Sequence, residues 1–133
     1  MMLKKSFNQI DLMSNALRGS WMKNSAISNN IANVNTPGYK KETVNFQEVL
    51  QNQMNLNQHV TMTKTNSKHI DSAYVGDITV ETVNDTSYRV DGNNVDIDVE
   101  NAEMAKNTIY YNTVVNQVNS QFSRLKTAFR INK

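Results

Sequence analysis

Near the start of the chain, apolar residues fall at Ile10, Met13, Leu17, Ile27, Ile31 and Val34, with Ser20 and Asn24 at the intervening positions. This alternating three- and four-residue spacing is that of a helical seam. Phe7, Leu12, Ala16 and Trp21 broaden the apolar surface, and the pattern predicts a helix over residues 7–33. A polar residue on such a seam costs stability but fixes register. The helix must stop before Pro37, because a proline pushes the residue ahead of it into extended conformations. Thr36-Pro37-Gly38-Tyr39 then reads as a type II turn, with proline at its second position and glycine where positive φ is required.

The other end repeats the motif more strictly. Met104, Thr108, Tyr111, Val115, Val118, Phe122, Leu125 and Phe129 follow a regular four- and three-residue alternation, and Ile97 and Asn101 extend the same frame upstream. A helix over residues 96–130 is predicted. Asp96, Asp98, Glu100 and Glu103 sit at its positive end, and Arg124, Lys126 and Arg130 at its negative end, which suits the helix dipole. A lone amphipathic helix of this length needs a partner for its apolar face. The expected fold is mainly α, with long N- and C-terminal amphipathic helices forming an antiparallel coiled-coil-like pair around a polar middle. The segments are residues 1–40 (first helix and turn), 41–95 (polar variable middle) and 96–133 (second helix). The seams suit either an ordinary bundle core or a surface kept for neighbouring subunits.

The middle carries weaker signals. Phe46-Gln47-Glu48-Val49-Leu50 predicts a short helical turn, and residues 51–70, poor in large apolar anchors, predict a loop. Alternation from Ile78 to Val83 suggests a strand, and Tyr88 to Ile97 a small β-excursion around Asp91-Gly92.

Composition narrows the chemistry. Of 133 residues 38% are hydrophobic, and 21 are Asn, a residue that prefers caps and turns to helix interiors. The net charge of +2 comes from 14 basic and 12 acidic residues, without the dense cationic patch of a nucleic-acid surface. The absence of Cys excludes disulfides, thiol nucleophiles and thiolate metal sites. His59 and His69 lie ten apart without a carboxylate at close helical spacing. The acids from Asp91 to Glu100 do not form a calcium loop, since Val95 and Ala102 stand where ligands are needed. No glycine-rich phosphate loop or activated nucleophile is present. Neither a catalytic residue, a cofactor-binding residue nor a metal site is therefore expected, and the chain reads as a non-enzyme. No transmembrane run is present, and Met1 to Asn8 lacks the apolar stretch of a secretory signal.

The string Asn29-Asn30-Ile31-Ala32-Asn33-Val34-Asn35-Thr36-Pro37-Gly38-Tyr39-Lys40 resembles the N-terminal motif of flagellar rod, hook and hook-associated proteins. Asp91-Gly92-Asn93-Asn94-Val95-Asp96-Ile97-Asp98-Val99-Glu100 is similar to the segment preceding the terminal helix in the FlgB family of proximal rod proteins. The resemblance implies a structural subunit of the proximal rod of the bacterial flagellar basal body, within the hollow shaft that transmits torque and carries exported subunits. It implies that Ile10, Leu17, Ile31, Tyr111, Val115, Val118, Phe122, Leu125 and Phe129 form a packing and assembly seam. It also implies that Phe46 and Leu50 resemble the short motif by which early substrates engage the flagellar type III export apparatus. Partners would be other copies of the chain, other rod proteins, a FliE-like rod adaptor and membrane-ring components, with no nucleic acid and no membrane insertion. The alternative on the same seams is a soluble coiled-coil adaptor or export chaperone.

Overall fold

The structure is a computed structural model and describes residues 2–58, 77–84 and 90–131. Its elements run α1 (Met2–Ala32), β1 (Glu42–Val44), α2 (Phe46–Gln58), β2 (Val80–Thr82) and α3 (Ile97–Ile131). The architecture is mainly α-helical with a two-stranded antiparallel sheet. At 1.5 Å per residue the two long helices measure about 46 and 52 Å. They lie side by side in opposite directions. Gln9 meets Gln121, Ser20 meets Asn107, Lys23 meets Glu103 and Asn30 meets Glu100, so partner numbers fall along α3 as they rise along α1.

α3 matches the sequence prediction within a residue at either end and α1 starts five residues ahead of it, and two features of the middle correct it. The predicted helical turn continues through residues 51–58, where a loop was expected, as part of α2. The Asn45 carbonyl starts that helix by accepting from the Glu48 and Val49 amides. The run of Gln, Leu and Met residues that follows contains good helix formers. Phe46 and Leu50, one helical turn apart, bury one face against α1. The remainder of the predicted loop lies outside the described residues, as do His59 and His69.

The β-structure is also placed differently. β2 falls within the predicted Ile78–Val83 strand, but its partner is β1, with register Glu42↔Thr82, Thr43↔Glu81 and Val44↔Val80. No strand forms over residues 90–96; a turn stands there instead, with Gly92 at φ +82°. The Asn93 and Asn94 side chains are committed to the turn after α1 and to the sheet, which draws this segment away from hairpin pairing. Tyr88 and Arg89 lie outside the described residues.

The apolar core sits on one flank of the helix pair. Ala16 and Ala26 of α1 meet Val44, Phe46, Leu50 and Ile78, with Tyr110 and Val114 of α3 packed against them. Phe46 is its centre, 1% exposed, with its ring 5.6 Å from that of Tyr110 in an edge-on arrangement. Phe46 reaches this site because Gly19 has no side chain. A Cβ there would stand 2.5 Å from the Phe46 Cβ.

Replacing a mid-helix glycine with alanine ordinarily stabilises by about 1 kcal/mol. Gly19→Ala is expected to reverse that sign, because the overpacking cost of about 1–3 kcal/mol falls on the stem of Phe46, which cannot swing aside. Urea denaturation, with Ser14→Ala on the exposed face of α1 as control, checks this. Stabilisation of the Gly19 variant would contradict the close approach.

Candidate functional site: a polar knot and an open apolar flank

The end of α1 and the start of α3 meet in a knot of amide side chains. Beyond Ala32 the chain turns through Asn33 and Thr36. The Tyr39 amide then donates to the Thr36 carbonyl at 3.3 Å, and Gly38 holds φ +71°, as a type II turn requires. The Gly38 amide donates to the Asp91 carbonyl at 3.0 Å, which crosses to the segment before α3. Asn93, fully buried, caps the turn from that side. Its Nδ2 donates to the carbonyls of Asn33, Val34 and Thr36 at 3.0–3.1 Å, and its Oδ1 accepts from the Val95 amide. Carbonyls released at the end of a helix need such donors.

Asn30 organises the other half of the knot. It is fully buried on the last turn of α1. Its Nδ2 donates to the Glu42 carbonyl at 2.8 Å and to Glu100 Oε2 at 3.0 Å. Its Oδ1 accepts from the Glu42 amide at 2.8 Å and the Tyr39 hydroxyl at 3.2 Å. Glu100, 1% exposed, pairs with Lys41, whose Nζ lies 2.6 Å from Oε1. The Lys41 amide donates to Asn94 Oδ1 at 2.7 Å, and Asn94 Nδ2 donates to the Val83 carbonyl. Burial, and then the nearby charges of Glu42 and Glu100, push the Tyr39 phenol above its ordinary value, so it remains a hydroxyl donor at neutral pH. Farther along the pair, the hydrogen bond from Lys23 holds Glu103 below the usual carboxylate range. Asp96 starts α3, its Oδ1 accepting from the Asp98 and Val99 amides.

The motif residues thus divide. Asn30 and Tyr39 enter the knot through their side chains, and Asn33, Thr36 and Gly38 through their backbones. Asn29 is exposed, donating to Glu42 Oε2 and passing its carbonyl to Asn33. Ala32, Asn35 and Pro37 are exposed and Ile31 is half-buried. Phe46 and Leu50 belong to the core. Among the described residues no group of three or more His, Cys, Asp or Glu residues is arranged to hold a metal ion. No described helix is long and apolar enough to cross a membrane.

The seam residues lie mostly beside the helix contact rather than in it. On α3 the strip facing α1 and the core contains Glu100, Glu103, Asn107, Tyr110 and Val114. At about 100° per residue, Met104, Tyr111, Val115, Val118 and Phe122 lie roughly 70° around the helix from it. Tyr111, Phe122 and Phe129 are exposed, while Ile10, Leu17, Val115, Val118 and Leu125 are half-buried. Trp21, 67% exposed, borders the same flank as Tyr111, sharing with it a cleft that also touches Asn24 and Thr108. Several contacts across the pair, Ser20–Asn107 and Lys23–Glu103 among them, are polar. Sequence periodicity passes over them because it follows apolar positions; Ser20 on the first seam is the one visible trace.

The chain matches the family described as flagella basal body rod protein over residues 23–40, which covers the end of α1 and the turn. It is similar to the flagellar basal body rod protein FlgB of Bacillus subtilis (strain 168), 39% identical over 89% of this chain and 90% of the relative. The FlgB of Aeromonas hydrophila is 32% identical over 78% of this chain and 79% of its own length. The FlgB of Escherichia coli (strain K12) is 28% identical over 90% and 91%.

Asn93→Ala removes the side-chain donor shared by the carbonyls of Asn33, Val34 and Thr36. Each lost hydrogen bond of a buried donor costs about 1 kcal/mol. A loss of about 3 kcal/mol is expected on urea denaturation. Asn35→Ala, at an exposed position of the same turn, is expected to change stability by less than about 0.5 kcal/mol. Equal effects at the two positions would contradict the knot.

Proposed function

This chain belongs to the FlgB family of flagellar basal body rod proteins, and from that premise we propose how its two ends serve a polymer. The protein is a structural subunit of the basal body rod and not an enzyme. Its place is the rod, where it assembles with other rod and basal body proteins. The finer reading puts it in the proximal rod, in a hollow shaft that transmits torque and carries exported subunits. Its partners there are further copies of itself, a FliE-like adaptor and membrane-ring components. The chain reaches this position through the flagellar type III export apparatus.

One observation carries the assembly reading: Trp21, Tyr111, Phe122 and Phe129 are exposed while Ser20, Lys23 and Asn30 of α1 hydrogen-bond to α3. Exposed aromatic groups in this number exceed the scattered apolar residues of an ordinary surface. In the rod, Ile10, Leu17, Ile31, Tyr111, Val115, Val118, Phe122, Leu125 and Phe129 form the wall seam, and the helix pair behaves as one strand pair of a larger coiled-coil-like layer. Residues 1–40 and 96–133 supply this inner layer, and residues 41–95 the outer, variable part. The turn through Asn29, Asn30, Ile31, Ala32, Asn33, Asn35, Thr36, Pro37, Gly38 and Tyr39 joins the two. Phe46 and Leu50 act as the export motif while the chain is unfolded and as core residues once it has folded.

Tyr111→Ser with Phe122→Ser is expected to leave the thermal midpoint of the purified chain within about 2 °C, since both side chains are exposed. The same variant should be depleted at least tenfold from isolated basal bodies. Normal incorporation would contradict the seam.

A further inference from the structure

The fold gathers at one end of the molecule a charge that the sequence divides between its two termini. The antiparallel register sets the start of α1 beside the end of α3. Residues 2–19 and 108–131 carry Lys4, Lys5, Arg18, Arg124, Lys126 and Arg130 against a single acid, Asp11. The other acids all belong to the rest of the chain, where Glu42, Glu100 and Glu103 meet lysines or amides. The two helix dipoles oppose each other at this end and offset one another, so the side chains set its sign. The helix pair has a cationic pole.

At that pole α3 stays amphipathic to its last turns. Phe122, Leu125 and Phe129 fall within about 60° of one another around the helix, and Lys126 and Arg130 follow on one side, about 70° and 110° from the middle of that stripe. Phe122 and Phe129 are 53% and 64% exposed. Arg124, Lys126 and Arg130 are exposed as well, and among the described residues none of the three is paired with a carboxylate. Charged residues are depleted from the cores of protein interfaces, whereas cations beside exposed phenylalanines suit a bilayer surface. There the rings reach the boundary of headgroups and acyl chains while the cations meet anionic headgroups. A fluid headgroup layer needs no shaped recess to receive a helix tip. No described helix is long and apolar enough to cross a membrane, so the contact is peripheral.

We propose that the cationic pole at the end of α3 binds an anionic phospholipid surface, with Phe122 and Phe129 at the headgroup boundary and Lys126 and Arg130 on lipid phosphates. Phe122 and Phe129 also belong to the wall seam proposed above. The two contacts therefore exclude each other, and the lipid-bound form is the unassembled chain. A bilayer holds the free subunit by the same rings that neighbours later cover.

The purified chain is mixed with vesicles of phosphatidylcholine, alone or with phosphatidylglycerol, and sedimented. Binding is expected to the anionic vesicles only, and high salt should remove it by screening exposed charges. Lys126→Gln with Arg130→Gln is expected to weaken binding about tenfold or more, and Phe129→Ser by a similar factor. Lys106→Gln, which removes an exposed cation nearer the knot, should leave it unchanged. Trp21 shares a cleft with Tyr111, about 27 Å along α3 from Phe129. Brominated anionic lipid, a short-range quencher, should therefore spare Trp21 of the parent and quench Phe129→Trp made in a Trp21→Phe background. Equal binding to neutral vesicles, quenching of Trp21, or full binding by the Lys126→Gln/Arg130→Gln variant would overturn the proposal. So would binding to polyglutamate as tight as to the vesicles and indifferent to Phe129→Ser, which would point to an acidic protein instead. Each of these results leaves the assembly reading standing, because that reading is tested by incorporation into basal bodies.

Discussion

The amide of Asn30, buried where α1 ends, is the contact on which the remaining geometry depends. It joins four groups from separate parts of the chain: the Glu42 carbonyl and amide, the Tyr39 hydroxyl and the Glu100 carboxylate. A buried amide left unpaired costs more than a paired one contributes, and the ionised carboxylate beside it raises that cost. Lys41 completes the arrangement by neutralising Glu100. Satisfying all of these groups together admits one angle between α1, β1 and α3, so the knot selects a register more than it adds stability.

That constraint explains the inversion along the helix pair. Two amphipathic helices in isolation would turn their apolar seams toward each other, each buried large side chain contributing about 1.5–3 kcal/mol. Here Ser20 with Asn107 and Lys23 with Glu103 take up part of that contact, at about 1 kcal/mol net for each hydrogen bond, beside the packing of Ala16 and Ala26 with Tyr110 and Val114. The difference remains as exposed apolar surface on the flank of Trp21 and Tyr111. A monomeric domain would gain nothing from this arrangement, whereas a subunit whose neighbours cover that flank recovers the energy on assembly. α2 and the sheet support the opposite flank through Phe46, seated on Gly19, and give the pair two distinct sides.

Much of this was legible from residue order. The spacing of Met104 to Phe129, with acids at one end and bases at the other, defined α3 to within a residue at either end. Pro37 and Gly38 located the turn. The two motif strings pointed to the family, and the fold brings both into one knot through Asn30 with Glu100 and Asn93 with the turn carbonyls. Long-range pairing was not legible. β1 meets β2 across more than thirty intervening residues, and three-residue strands leave too little alternation to announce a partner. Nor could periodicity reveal that Asn107 rather than Thr108 or Tyr111 faces α1, since it marks apolar faces and this contact is polar. The extension of α2 to Gln58 leaves little trace in the sequence because its Asn- and Gln-rich stretch is poor in apolar anchors, although Phe46 and Leu50 dock the start of the helix.

A double-mutant cycle between Asn30 and Glu100 tests the central claim most directly. Asn30→Ala, Glu100→Ala and the double variant, compared with the parent by urea denaturation, isolate the coupling between the two helix ends. For a buried amide donating to a carboxylate, a coupling of about 1.5–3 kcal/mol is predicted, with the double variant losing clearly less than the sum of the single losses. Losses that simply add, within about 0.5 kcal/mol, would mean that the knot does not hold the ends together, and the account built on it would fail.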